Sequence, residues 1–447
     1  MNYKLSACCK TVRAAPLVCL LAVVALSGCA TTKSAERASA ASAANATAAP
    51  SFRFESEPRA VFKTDEAATS RDPKLQLSAS GALHVLAVHG RGGGGHDGHG
   101  ARLGLSISHN GGDTFSPPVP VSPEGARVNS HGENSPVLAL TPTEIYALWE
   151  QAAGAGKTSE LVLARSVNFG HSFERPVRVA DKRAPSFNGF PALAASPDGR
   201  VYAVWLDGRD ASRPSGTFDV YLARSTDRGA TFGPNVRVAS GACPCCRPAV
   251  ALGERGEVFV AWRHVYEGDV RDVAVAASRD GGETFDAPAR VAADNWRLPG
   301  CPHSGPTLAH RAGRLYVSWY TEGGEARAAV KTAWTDDGAR TFAPPRVCSG
   351  DALDPNHPAL SVSADGRVLL AFQGRAASKQ DGWAATQVFF TELKEDGGCA
   401  PPAAVSGGGA SGAYPAVAAG TAGRVFVAWT EELEKANNVL LARGRGN

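Results

Sequence analysis

The sequence predicts an all-β fold, a β-propeller of four-stranded antiparallel blades, and three observations carry that expectation. A unit recurs about every fifty to sixty residues from Asp72 onward. Within each copy apolar residues alternate at period two between Gly or Asp-Gly turns, the pattern of half-buried hairpins. The last copy stops after its third strand, Val439-Leu440-Leu441-Ala442, so a segment near Phe52 to Lys63 is expected to supply the missing outer strand and close the ring. Radial repetition of this kind leaves only short, protected sheet edges. Counting opening strands gives seven blades, with six as the alternative if the first or last copy is absorbed elsewhere.

The chain begins with a basic start, Lys4, Lys10 and Arg13, followed by the apolar stretch Leu17 to Leu26, which is short for a stable membrane anchor. It ends in Leu26-Ser27-Gly28-Cys29, which resembles the lipobox of bacterial lipoproteins. The resemblance implies cleavage after residue 28, acylation of Cys29 and, because Ala30 rather than Asp follows, anchorage in the outer membrane. Residues 29–51 are almost all Ala, Ser and Thr, which bury too little to fold and read as a tether. Residues 52–447 form the propeller. The formal net charge is +3, and removing the three leader cations leaves a neutral mature chain, which argues against nucleic-acid binding. The membrane is thus met through the lipid alone, and a periplasmic or outer-membrane protein partner is the macromolecular partner this placement allows.

Each copy opens with Pro and an apolar strand, as in Pro136-Val137-Leu138, Pro191-Ala192-Leu193 and Pro248-Ala249-Val250. A second strand ends in an aromatic residue, as in Tyr202-Ala203-Val204-Trp205 and Phe259-Val260-Ala261-Trp262. The third strand leads into a tighter repeat: Ser108-His109-Asn110-Gly111-Gly112-Asp113-Thr114-Phe115, Ser166 to Phe173, Ser225 to Phe232 and Ser278 to Phe285, with Thr335 to Phe342 a degraded copy. These segments resemble the Asp-box of the sialidase superfamily, and the resemblance covers nearly all of the chain after the tether. Turn chemistry accounts for each residue: Asp or Asn caps the turn, Gly takes positive φ, and Phe packs under the hairpin.

Antiparallel order puts the loop entering strand one and the loop between strands two and three on one face, where propellers usually bind ligands. The strand-one entries carry His131, Glu133 and Asn134, then Asn188, Cys243-Pro244-Cys245-Cys246-Arg247, Cys301 and His303, Asn356 and His357, and Tyr414. The second loops add His89, Arg91, His96, Asp97 and His99, then Asp207 and Arg209, Arg263 and His264, Tyr320 and Glu322, and Arg375. The His-rich, Gly-rich loop reads more simply as a solvated excursion than as a ligand set.

Cys243, Cys301 and His131 share one offset, five residues before the matching prolines. Neighbouring copies align as Cys-Pro-Cys-Cys-Arg-Pro and Cys-Pro-His-Ser-Gly-Pro, which is expected to bring thiols and an imidazole together. Thiolate with imidazole suits Cu(I) or Zn(II), copper being favoured for a periplasmic protein, rather than Ca or Mg. The expected ligands are Cys243, Cys245, Cys246, Cys301 and His303, with His131, His264 and His357 as second candidates. An exported chain meets an oxidising compartment, so a Cys243–Cys301 disulfide brace and thiol redox chemistry stay open beside metal. Cys348 and Cys399 fall near opposite ends of their copies and are not expected to pair.

The sialidase resemblance implies a second chemistry: three Arg clamping a substrate carboxylate, an Asp acid/base, and a Tyr nucleophile assisted by Glu. The face offers Arg209, Arg263 and Arg375, with Tyr320, Glu322, and Asp207 or Asp97. The family's Phe-Arg-Ile-Pro is met only by Phe52-Arg53-Phe54-Glu55, which lacks the Pro. A non-catalytic scaffold for a glycan, another small ligand or a protein is the third class.

Overall fold

The computed structural model describes residues 52–446 except 56, 63–68, 91–100, 154–157, 182–185, 210–215, 325–326, 364, 377–383, 395–396 and 435. Cys29 and the loop residues Arg91, His96, Asp97 and His99 lie outside the described residues. All regular elements described are strands. Among the described residues they form seven antiparallel units of four strand positions, the inner position of the second and the outer position of the last each being split into two short strands. The third and fourth units are joined into one sheet by the single pair Ala242 and His264.

Unit one runs Thr69–Leu77, Leu83–Gly90, Arg102–Ser108 and Val119–Pro120. Unit four, which follows the thiol-rich loop, runs Ala249–Leu252, Val258–Tyr266, Val270–Ser278 and Ala289–Arg290. The innermost strand of each unit packs against that of the next, and Ser411–Ala419 of the last packs against Thr69–Leu77 of the first. The ring is therefore closed. The last unit is completed as its missing strand requires: Phe52–Phe54 pairs with the chain end, Phe52 opposite Gly446, and Arg59–Ala60 pairs farther along the same strand.

The apolar core is divided among the junctions between units. One cluster joins Tyr202, Val204 and Leu222 of unit three to Val258, Val260 and Trp262 of unit four. Another joins Leu83 and Val85 of unit one to Phe426 and Leu441 of the last. Alternation at period two lets one face of each strand meet the preceding unit and the other the following one. The repeated second-strand tryptophans Trp149, Trp205, Trp262, Trp319 and Trp429 are all buried.

The recurrent turns are fastened as their sequence implies. Ser225 Oγ donates to Asp227 Oδ1 at 2.7 Å and accepts from the Gly229 N–H at 2.9 Å, while Asp227 accepts from the Thr231 N–H at 2.9 Å and hydroxyl at 2.6 Å. Gly229 has φ 76°, and a Cβ there would meet the Tyr146 ring of the preceding unit at 2.9 Å. Glycine is thus required twice over, by dihedral and by approach. The degraded copy keeps the network through Thr335, Asp337 and Thr341, with Ala339 at φ 69° in place of the glycine.

One expectation is corrected. Cys348 and Cys399 form a disulfide between consecutive units, with Cα atoms 5.2 Å apart. Cys348 directly follows the outermost strand Arg346–Val347, and Cys399 bridges to Leu393 just before the outermost strand Ala403–Ala404. Each is at its unit's rim, and curvature of the ring brings the two rims together. The bond closes a separation of 51 residues, for which the chain-entropy estimate is about 4 kcal/mol. Replacing both cysteines by Ala is expected to cost roughly 2–4 kcal/mol in denaturant unfolding.

Candidate functional site

Two adjoining constellations occupy the strand-one face, and the loop Cys243 to Arg247 belongs to both. The first is sulfur-rich. Sγ atoms of Cys243, Cys245 and Cys301 all lie within 4.8 Å of one another. Cys243 and Cys245 are 3.5 Å apart, and Cys246 Sγ is 3.8 Å from Cys245. All four are free thiols; the first three are buried and Cys301 is exposed. The Arg271 guanidinium donates to Cys243 Sγ at 3.0 Å. Hydrogen bonds from the Cys245 and Cys246 thiols, then the Arg271 charge, push the Cys243 thiol well below its ordinary range. The same bonding to Cys243 pushes Cys245 up, and burial pushes Cys246 up.

Why the loops meet is visible in the backbone. Gly305 abuts Arg247, so that a Cβ on Gly305 would stand 2.1 Å from the Arg247 carbonyl oxygen. The Cys301 loop is further held by Ser304, whose carbonyl accepts from buried Arg263 at 3.0 Å and whose hydroxyl accepts from the His357 N–H at 3.2 Å.

The second constellation surrounds a cavity of about 250 Å³ on the ring axis, lined by inner strands and by Lys74, Glu133, Arg247, His357 and Tyr414. Four inner strands enter it through a register skip at a residue preceding Pro. Asp72, Phe190, His357 and Tyr414 there have φ of 57°, 56°, 49° and 50°. A left-handed non-glycine residue before proline is strained, and a bulge re-aims its side chain. In the described structure this is how His357 and Tyr414 reach the axis.

Glu133 is the hub. It accepts from His357 Nδ1 at 2.7 Å, from the Gly305 N–H at 2.9 Å and from the Arg247 N–H at 3.3 Å. Burial opposes its charge, yet the His357 bond and the charges of His357 and Arg247 outweigh it and hold the carboxyl down to about 2. Arg247 donates Nε to the Glu133 carbonyl at 2.8 Å and also reaches Ser135 Oγ. Tyr414 packs against the His357 ring with centroids 4.7 Å apart, and burial, with Glu133 and Asp72 nearby, pushes its phenol up to about 12.

The remaining expected residues are placed as follows. His264 accepts from Trp262 Nε1 at 3.2 Å, packs on Tyr266, and is pushed down by burial. His131 pairs with Asn134 and lies edge-on to Phe190, and His303 has φ 49°. Among the described residues, no His joins the three-thiol group. The arginines do not form one clamp. Arg209 is held by Asp207 at 2.7 Å and Asp181 at 3.3 Å over the Tyr221 ring, a buried pair rather than a surface one. Arg263 spends its donors on the carbonyls of Ser304, Arg271 and Tyr320, and Arg375 is paired with Asp354. The expected Tyr–Glu partnership does form: Tyr320 donates its hydroxyl to Glu322, and burial and that carboxylate push the phenol up. Lys74 escaped sequence reasoning because one lysine in an inner strand, Thr69–Leu77, has no local signal.

No family model matches the chain, and no curated protein matches it in sequence. Solved structures match it in fold. A crystal structure of a protein of unknown function from Dyadobacter fermentans DSM 18053 is 14% identical with a TM-score of 0.52, covering 89% of this chain and 100% of that one. Trypanosoma rangeli sialidase in complex with the inhibitor DANA is 11% identical with a TM-score of 0.51, covering 89% of this chain and 60% of that one. A mutant of the same sialidase displaying trans-sialidase activity gives 13% and 0.51, covering 88% and 59%. The likeness is one of fold. This chain is a β-propeller of the kind seen in sialidases, and it spans about 60% of those sialidases' length.

Proposed function

We propose that the chain is an exported, lipid-anchored propeller that binds a soft transition metal through its thiol cluster, with Cu(I) favoured over Zn(II), in a metal-handling role. The recurring turns are taken as Asp-boxes, which serve the scaffold and leave the opposite face for the site. The observation that carries this reading is the convergence of Cys243, Cys245 and Cys301 within 4.8 Å. Metal–sulfur distances of about 2.3 Å imply S···S separations of about 4 Å, close to the spacing present. Arg271 beside Cys243 offsets part of the thiolate charge. Cys246 is the neighbouring reserve ligand, while His357, occupied by Glu133, is less available than its sequence position implied.

The test is metal analysis with parallel thiol titration on protein purified from the periplasm without chelators. Stoichiometric copper or zinc supports the reading. Absence of metal, with no Cu(I) uptake by the reduced anaerobic protein, overturns it.

The Tyr320–Glu322 pair favours a second reading, a sialidase-type glycoside hydrolase, and the fold comparisons by themselves lean that way. Against it, Arg209, Arg263 and Arg375 are each committed elsewhere, so these three form no common grip for a carboxylate. Turnover of a fluorogenic sialoside is therefore expected to be absent. Turnover that falls about 100-fold or more in Tyr320→Phe would establish the hydrolase instead.

A further inference from the structure

We infer that the axial cavity is an anion site, built to take a small hydroxycarboxylate on the Lys74 ammonium. The argument is one of charge and partners. Asp72 Oδ2 accepts from Arg71 at 2.6 Å and from the Ser130 hydroxyl at 2.6 Å. Glu133 is satisfied by His357, Arg247 and Gly305, as described above. Arg71 thus offsets Asp72, and Arg247 offsets Glu133. Lys74 is the cation left without a bonded carboxylate among the described residues.

Lys74 lines the cavity and keeps part of its surface open on it, but it is withdrawn from bulk solvent. Its ammonium has no hydrogen-bond or ion-pair partner among the described residues, whereas Arg71 and Arg247 each have several. Burial first, then the Arg247 charge, lowers it to about 7, and the charges of Asp72 and Glu133 only partly compensate. A cation so placed costs stability unless something pairs with it. The missing partner is an anion, which the cavity admits and no carboxylate among the described residues supplies by direct contact.

The lining defines the rest of the ligand. Gln76, Thr307 and the neutral Tyr414 phenol offer hydroxyl and amide partners. Prolines at the head of the inner strands, among them Pro248 and Pro306, supply apolar walls. About 250 Å³ falls below the roughly 300–1,000 Å³ of drug-sized pockets. A molecule of about six carbons with one carboxylate and hydroxyls fits that description. The strain at His357 and Tyr414 is consistent with a site, since such backbone persists where its surroundings hold it for use.

This inference is independent of metal at the thiols, so metal-free protein serves for its test. Titration calorimetry of the full chain with D-gluconate, with sorbitol as the neutral counterpart and inorganic phosphate as the compact anion, is expected to show gluconate binding at least tenfold tighter than sorbitol. In Lys74→Met gluconate binding is expected to fall at least tenfold while the melting temperature stays level or rises, because an unpaired buried charge is gone. Phosphate binding that is lost in Lys74→Met supports the anion site and assigns it to an inorganic ion. Sorbitol binding as tight as gluconate, unchanged binding by Lys74→Met, or no binding of either anion up to about 10 mM overturns the inference.

Discussion

Replacing Cys301 by Ser is expected to lower Cu(I) affinity by about 100-fold or more while leaving the unfolding free energy within about 0.5 kcal/mol of the parent. The separation of the two effects follows from burial. Cys301 is exposed, so an isosteric hydroxyl there creates no cavity and strands no buried polar atom. Its sulfur is nevertheless one of the three that converge within 4.8 Å, and oxygen is a poor ligand for a soft ion. Cys243 and Cys245 are less clean probes. Both are buried in the core between units three and four, where a hydroxyl without partners costs about 1–3 kcal/mol. Competition with a chromophoric Cu(I) chelator under anaerobic conditions measures the affinity, and urea unfolding of the apo protein measures the free energy. Equal affinity in the parent and Cys301→Ser would remove Cys301 from the site and leave the convergence a matter of loop packing.

Gly305→Ala is expected to damage both constellations at once. The added Cβ would lie 2.1 Å from the Arg247 carbonyl oxygen and 2.9 Å from its nitrogen, both backbone atoms that cannot rotate away. The two loops must separate by about 1 Å or more to restore ordinary contact. Three links depend on their approach: the Gly305 N–H to Glu133, the Ser304 carbonyl to Arg263, and the placement of Cys301 against Cys243. Overpacking together with lost hydrogen bonds predicts a destabilisation of about 2–4 kcal/mol, and metal uptake is expected to weaken at least tenfold. Gly407→Ala is the control. It has open space around it and an ordinary dihedral, so it is expected to change neither quantity. A Gly305→Ala protein with parental stability and parental metal uptake would show that the close approach of the loops is not needed for either.

The thiol cluster and the axial cavity share a loop but answer to different chemistry. Cys243 to Cys246 face the core of units three and four, and Arg247, the next residue, turns to the axis and binds the Glu133 backbone. A ligand pulling on Glu133 or Arg247 is therefore one residue from the sulfur site. The Tyr320–Glu322 pair is different in kind. Tyr320 and Glu322 are partnered, but Arg263, whose guanidinium donates to the Tyr320 carbonyl, is buried and spent on carbonyls. That leaves Tyr320 with a carboxylate partner but with Arg209, Arg263 and Arg375 all engaged elsewhere.

What the sequence determined by itself was the local and periodic part. Period-two alternation, Pro-led inner strands and Ser-x-Asp-x-Gly turns each act within a few residues, so the units, their turns and the closing strand near Phe52 are legible before folding. Convergence of Cys243 and Cys301 was legible for a related reason: equal offsets in consecutive repeats become adjacent positions in a ring. Only the tertiary structure decided the rest. The Cys348–Cys399 bond depends on how unit rims curve toward each other, which offset counting along single units does not capture. Arg209, Arg263 and Arg375 share a face in sequence order, yet each is taken by partners on its own or a neighbouring unit. Lys74, Glu133, Arg247, His357 and Tyr414 come from five different repeats and meet at the axis alone. Charge balance at such a point is a property of closure, because no window of sequence contains two of its members.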